Sequence, residues 1–167
     1  MSPTVEVRKT YKLYIGGAFP RSESGRSYAV HAAPGRAGHP GAFLANAADG
    51  SRKDARDAVV AARAAFPKWS GATAYNRGQV LYRVAEVMQG RAAQFEQEVA
   101  AAEGLTPARA RATVQAAIDR WVWYAGWSDK LAQVLGGLNP VAGPYFDISA
   151  PEPTGVVAVL APQRSSL

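Results

Sequence analysis

The chain has 167 residues, of which 48% are hydrophobic and 19% are charged, a composition close to that of globular domains and far from that of disordered segments. This length favours one ordinary domain over a complete two-domain enzyme. The absence of cysteine excludes disulfide bonds, thiolate nucleophiles and cysteine-ligated metals from these residues.

The formal net charge of +6 raises the question of a nucleic-acid partner. The basic residues of segment 51–66 alternate with Asp54 and Asp57, and no block of five like charges occurs. We therefore expect no nucleic-acid partner. The N-terminus lacks an apolar signal region and no run of about 18 apolar residues occurs, so we expect no membrane partner and a cytoplasmic location.

The first fifty residues carry strand patterns separated by turns. KLYIGG (12–17) and RSYAVHA (26–32) predict two short strands that pair as a hairpin with a loose loop. Proline and glycine interrupt residues 33–41, which predicts an irregular segment. AFLANAA (42–48) predicts a third strand.

Three amphipathic helices are predicted next. Ser51 and Asp54 have the spacing of a capping box, and an inward-facing apolar stripe follows until Pro67 ends the first helix. The second helix runs from about residue 75 to residue 102, and Gly104 closes it. Thr106 caps the third helix, which is predicted to reach residues 136–137.

The last thirty residues change character. Residues 138–155 are rich in turns and contain one short extended piece at 145–149. The following segment, GVVAVLA (155–161), is apolar on both alternating sides, so as a strand it needs a packed layer on each face. This pattern predicts an inner strand of a parallel sheet in an α/β domain.

Other possible sites have ordinary explanations. The aromatic run WVWYAGW (121–127) favours a seam between elements over a ligand-stacking surface. His31 and His39 flank a loop without a carboxylate, so we expect no metal site. We interpret Asp129 and Lys130 as a solvated charge pair. The glycine-rich nucleotide fingerprints and the nucleophile-elbow motif are absent from the sequence.

Several segments together resemble the N-terminal third of the aldehyde dehydrogenase superfamily, over residues 11–162. The segment EPTGVVAVLAP (152–162) is the most specific, and the others are KLYIGGAF, AARAAFPKWS, RGQVLYRVAEVM and AIDRWVWYAGWSDK. The resemblance implies an α/β fold with a short β-hairpin, three long helices and the first strand of an incomplete Rossmann-type cofactor domain. It divides the chain into a helical part of the cofactor-binding domain (1–137), a β-excursion of the oligomerisation type (138–153) and the first sheet strand (154–167).

The resemblance implies oxidation of an aldehyde to a carboxylic acid with NAD or NADP. In the family a cysteine thiolate attacks the aldehyde, hydride passes to the cofactor and water releases the acid. The nucleophilic cysteine, the general-base glutamate and the cofactor helix of the family correspond to positions after Leu167. We therefore expect no catalytic residue within this chain and no activity from it alone.

The resemblance also implies partners: a small aldehyde, and either further copies of the chain or a homologue. The alternative interpretation is a non-catalytic structural or regulatory module that associates with a full-length homologue through residues 145–149 and the aromatic helix. An unpaired apolar strand at residues 155–161 supports association, because the unpaired backbone N–H and C=O groups of an exposed strand edge can bond to another chain.

The cofactor-binding residues implied by the resemblance lie in one turn: Leu160, Ala161, Pro162 and Gln163, which match the turn beside the nicotinamide end of the cofactor. The family continues with Pro-Trp-Asn-Phe-Pro, whose asparagine helps bind the oxyanion, whereas this chain has Pro-Gln-Arg-Ser-Ser at 162–166. Arg164 stands at the asparagine position. Because arginine is larger and carries no neutral amide, we expect altered oxyanion binding.

Overall fold

A computed structural model describes residues 9–34, 41–162 and 167. Over these residues the chain combines two small sheets with a group of helices. The strands are β1 (Thr10–Tyr11), β2 (Ser27–His31), β3 (Phe43–Ala48), β4 (Gly137–Leu138) and β5 (Ile148–Ser149). The helices are α1 (Arg52–Ser70), α2 (Ala74–Gly90), α3 (Ala92–Glu103), α4 (Pro107–Trp127) and α5 (Leu131–Leu135).

The N-terminal sheet has the order β1-β3-β2, with β1 parallel and β2 antiparallel to the central strand. The predicted strands at 26–32 and 42–48 are confirmed as β2 and β3. The predicted hairpin of 12–17 with 26–32 is wrong, because β2 pairs antiparallel with β3 instead. The strand predicted at 12–17 is wrong. Gly16 and Gly17 have positive φ and fold Ile15 back onto Ala18 through two backbone hydrogen bonds of 3.0 and 3.1 Å, which leaves no length for a strand.

The predicted capping box of α1 is confirmed. Ser51 Oγ accepts from the Asp54 N–H, and the Asp54 carboxylate accepts from the Ser51 N–H at 2.8 Å. The helix continues past Pro67 to Ser70, contrary to expectation, because a proline in the last turn removes only one donor and the Gly71 N–H still reaches the Pro67 carbonyl. The predicted inward stripe of α1 is exposed, and the buried residue of this helix is Asp54.

The second predicted helix is two helices. Arg91, with φ −117° and ψ 15°, breaks it after Gly90. Glycine has no side chain and disfavours the helical conformation, so the helix is weakest at this position. The break redirects the chain, and α2 and α3 both pack on α4. Gly104 ends α3 in the left-handed conformation, and the Thr106 cap is confirmed by its hydrogen bond from the Arg109 N–H.

The core is a group of buried side chains contributed by these three helices. Val114 of α4 lies at its centre with 1% of its surface exposed. The other buried members are Ala85, Met88, Val99, Ala110, Ala117 and Ile118. The α4 members, at positions 110, 114, 117 and 118, have the spacing of one face of an amphipathic helix. The third helix is shorter than predicted, because α4 ends at Trp127 and the chain resumes as the short α5.

The C-terminal segments form little regular structure. β4 and β5 pair antiparallel, with Leu138 opposite Ile148, so only part of the predicted extended piece is a strand. Residues 154–160 are not a strand in the structure, because none of the described strands lies beside them to form a hydrogen-bonded ladder. The fold is therefore α/β with an incomplete sheet after β5. Among the described helices, none is both long and apolar enough to span a bilayer.

Asp54 joins three segments of the chain. Its carboxylate accepts hydrogen bonds from the Ser51 N–H, from Ser22 Oγ at 2.8 Å and from the Glu23 N–H at 3.1 Å. The Ser51 N–H, followed by Ser22, lowers the pKa of Asp54 from its usual 3.8 to about 2, against the opposing effect of desolvation. The ionised carboxylate therefore fixes the loop at residues 22–24 to the start of α1.

This network predicts a pH-dependent contribution to stability. Because the folded pKa lies below the unfolded value, the contribution is complete above pH 3.8 and is lost as the pH falls towards about 2. Asp54→Asn should melt at a lower temperature than the unmodified chain near pH 6, and the two melting temperatures should converge towards pH 2. Circular dichroism melts across this range measure the difference.

The matched control is Asp119→Asn, which removes an exposed carboxylate that, among the described residues, accepts only from the Gln115 side chain. Its melting temperature should follow that of the unmodified chain at every pH. A constant difference between Asp54→Asn and the unmodified chain from pH 6 to pH 2 would contradict the assigned role of the Asp54 carboxylate.

Candidate functional site

The segment after β5, residues 150–162, carries the residues expected to contact a cofactor. Gly155 turns this segment with φ of 101°, a conformation that side chains strongly disfavour. Open space surrounds the position where a Cβ would lie, so the constraint is the backbone conformation alone. A residue other than glycine would therefore strain the chain between Thr154 and Val156.

The first half of this segment lies against the helices. A cleft of about 510 Å³ is bounded by the end of α1, the start of α2, the α4–α5 junction and residues 151–157. Phe66 and Trp69, three residues apart on the last turns of α1, supply aromatic surface, and Asp129 and Glu152 supply carboxylates. The sequence did not indicate this cleft, because the predicted first helix ended at Pro67, before Trp69.

Arg77 fixes the connection that borders the cleft. Its Nη1 atom donates to the carbonyl oxygens of Ser70, at 3.4 Å, and Ala72. Both oxygens belong to the end of α1 and the loop after it, where carbonyl groups lack helical partners. The guanidinium therefore satisfies backbone acceptors and joins α2 to the end of α1.

The second half of the segment is exposed. Val159 and Leu160 have 84% and 96% of their surfaces accessible, and Ala161 and Pro162 are also exposed. Gln163, with Arg164, lies outside the described residues. Within the described part of the chain, the three predicted site residues therefore form one apolar edge and do not enclose a ligand.

The structure also describes three features discussed from the sequence: the aromatic run, Lys130 and His31. Trp123 contacts Tyr124 and Trp127, with ring centroids 4.9 and 5.3 Å apart, and it is 56% exposed. This side of the aromatic run therefore does not form the predicted seam, whereas Ala125 on another side lies close to Gly78 of α2. Lys130 donates to the Gly126 carbonyl at 2.6 Å, where it caps the end of α4 instead of pairing with Asp129. A nitrogen of His31 lies 3.1 Å from the Gly41 carbonyl, and His39 lies outside the described residues.

Comparison with known proteins decides the family. The model of the aldehyde dehydrogenase family matches residues 34–164. The chain belongs to this family. The match includes α1 to α5, both short C-terminal strands and the exposed apolar edge.

Curated relatives agree with this assignment. Aldehyde dehydrogenase family 2 member B4 of Arabidopsis thaliana is 31% identical over 169 residues, which cover 97% of this chain and 29% of that protein. Human retinal dehydrogenase 2 is 29% identical over 171 residues, which cover 96% of this chain and 30% of that protein. This aldehyde dehydrogenase chain thus spans about 30% of the length of these relatives.

A solved structure supports the fold. The crystal structure of PnpE in complex with nicotinamide adenine dinucleotide is similar with a TM-score of 0.71 and 25% sequence identity. The similarity covers 81% of this chain and 26% of PnpE. Most of the arrangement described above therefore corresponds to one part of the larger PnpE structure.

The exposed edge predicts a pattern of hydrogen exchange. Amides 156–160 have no backbone hydrogen-bond acceptor among the described residues, whereas those of α4 are bonded within a buried helix. In this aldehyde dehydrogenase chain, amides 156–160 should exchange at least about 100-fold faster than amides 114–118, measured by NMR on the 167-residue chain. Equal protection of both segments would mean that the apolar edge is paired in solution.

Proposed function

We propose that this chain forms the N-terminal part of the cofactor-binding domain of an NAD(P)-dependent aldehyde dehydrogenase, which oxidises an aldehyde to a carboxylic acid. The family match over residues 34–164 carries this proposal. The fold similarity to NAD-bound PnpE supports it independently of any single motif. The cytoplasmic location expected from the sequence remains a prediction.

Within this proposal each part of the chain has a role. Residues 1–137 supply helical support for the cofactor-binding domain, residues 138–153 form a β-excursion for subunit contacts, and residues 154–167 begin the cofactor sheet. The packed helical core supports the first role. The paired β4 and β5, which project exposed apolar side chains, support the second.

Leu160, Ala161, Pro162 and Gln163 are proposed to border the nicotinamide end of NAD or NADP. The described residues fit this role only in part, because the exposed edge at 160–162 has no opposing surface to enclose a dinucleotide. The cofactor, where bound, accepts the hydride from the substrate. Leu160 and Ala161 would contribute apolar surface that excludes water from one side of the bound ring.

We propose that the 167 residues alone do not turn over an aldehyde, because they contain no cysteine to attack its carbonyl. Purified chain mixed with an aldehyde and NAD⁺ or NADP⁺ should form no NADH or NADPH above a control without aldehyde. Absorbance of the reduced cofactor measures this. Turnover that follows the purified chain through successive columns would refute the proposal.

A chimera tests whether this chain can serve as part of a cofactor-binding domain. Residues 34–164 replace the matching region of an active aldehyde dehydrogenase, with Arg164 retained in one version and Arg164→Asn in the other. The Arg164→Asn version should oxidise aldehyde, and the Arg164 version should have a kcat lower by about 100- to 1,000-fold, because a neutral amide donor to the oxyanion is missing. Equal kcat values would remove the role assigned to position 164, and failure of both folded chimeras to bind NAD⁺ would contradict the cofactor-domain proposal.

The second candidate is a non-catalytic module that associates with other copies or with a full-length homologue. The observation that favours it is the exposed apolar surface around β5, where Tyr145 and Phe146 are 74% and 79% accessible and Ile148 and Leu138 are also exposed. Surfaces of this kind mark interaction sites. This candidate requires no catalytic residue in the chain.

Size-exclusion chromatography with light scattering tests the second candidate. A module of this kind should elute as an oligomer, or together with a full-length aldehyde dehydrogenase when the two are mixed. Tyr145→Ser combined with Phe146→Ser should abolish the association and leave the circular dichroism spectrum unchanged, since both side chains are exposed. A monomer that does not co-elute with the homologue would exclude the second candidate.

A further inference from the structure

A second cleft, separate from the 150–162 segment, opens at the N-terminal sheet. It has a volume of about 380 Å³ and lies between the β1 region, the loop that precedes β2 and the end of β3. Cavities of this size hold small metabolites in proteins. The cleft shares no lining residue with the cleft beside the cofactor edge.

The charged side chains that line this cleft are all positive. Lys12, Arg21 and Arg26 each contribute to its surface, and no aspartate or glutamate does. Over the described residues, the ion pairs of the chain involve none of these three cations.

Two carboxylates near the cleft, those of Asp54 and Glu23, are engaged elsewhere. Both Asp54 oxygens accept hydrogen bonds from Ser22, Glu23 and Ser51, as described above. The Glu23 carboxylate accepts from Ser51 Oγ at 3.1 Å. Among the described residues, none of the three cations of the cleft has an ion-pair partner, and the Asp54 and Glu23 carboxylates are already bonded, so an anion could pair with these cations.

The backbone around the cleft is held in place. The Leu13 N–H donates to the Pro20 carbonyl at 3.1 Å, the Gly25 N–H to the Ser22 carbonyl at 2.9 Å, and the Asp49 N–H to the Arg26 carbonyl at 3.0 Å. These bonds fix the positions from which the basic side chains extend. Prior ordering of this kind lowers the entropic cost of binding a ligand.

We propose that this cleft binds the phosphate group of a small phosphorylated molecule. Two guanidinium groups offer the planar donor pairs that match phosphate oxygens, and Lys12 adds a compact charge. The hydroxyl groups of Thr10 and Ser27 lie on the same surface as additional donors. A single concave cleft favours a small molecule over nucleic acid, which requires a stripe of cations along its backbone. This role lies outside the proposed aldehyde chemistry.

The proposal is tested by NMR titration of the ¹⁵N-labelled 167-residue chain with ribose 5-phosphate. Saturable shifts are expected at residues 10–12 and 21–27. Inorganic phosphate should shift the same residues, and ribose should shift none. The titrations with inorganic phosphate and with ribose separate recognition of the phosphate from recognition of the sugar.

Arg21→Ala combined with Arg26→Ala should weaken binding at least about tenfold, because each arginine removes charged hydrogen bonds to the ligand. Both side chains are exposed, so the variant should keep the melting temperature of the unmodified chain. The matched control is Arg83→Ala, which removes an exposed arginine of α2 that pairs with Glu86 at 2.8 Å, and it should bind with unchanged affinity.

Three outcomes would overturn the proposal: equal affinity for ribose and ribose 5-phosphate, an equal loss of affinity in the Arg83 control, or shifts spread over the surface without saturation. A titration with a single-stranded oligonucleotide completes the test. If the oligonucleotide binds more tightly than ribose 5-phosphate and shifts residues along α4, the ligand is nucleic acid and the proposed small phosphorylated ligand is wrong.

Discussion

The contact of α4 with α2 and α3 is the interaction on which the rest of the structure depends. In a folded protein, most of the stability of such helices comes from the packing of an amphipathic face, so the apolar faces of α2, α3 and α4 require one another. Gly78 brings α2 close to α4, since a Cβ at this position would lie 3.0 Å from the Ala125 carbonyl oxygen. Val114 and its neighbours fill the resulting interior. Both clefts described above lie outside this core and depend on the elements anchored to it.

The exposed apolar edge at residues 155–161 illustrates how a local pattern depends on distant parts of a protein. Residues 155–161 have the composition of an inner strand, yet backbone groups form a ladder only beside another strand. The helices can form from contacts between residues close in the chain, whereas a parallel sheet needs a crossover of a dozen or more residues to bring its strands together. This difference explains why the helical core is well packed while the apolar edge is exposed.

Much of the helical architecture was predictable from the sequence, because caps and glycine stops act locally. Ser51, Thr106 and Gly104 mark helix ends by side-chain hydrogen bonds and backbone conformation that three or four residues determine. The break at Arg91 was not predictable in this way, since the apolar spacing continues across it and tertiary packing on α4 decides the chain direction. The clefts also escaped prediction, because their walls come from segments far apart in sequence.

The hydrogen-bond network of Asp54 has a consequence for how this sequence can change during evolution. One carboxylate serves a loop serine, a loop amide and a helix cap, which belong to segments about thirty residues apart. A longer or neutral side chain at position 54 would change the distance or the charge of the acceptor for all of these donors at once. Among homologues, we therefore expect replacements at positions 22, 51 and 54 to occur together, which would record this spatial link as correlated variation.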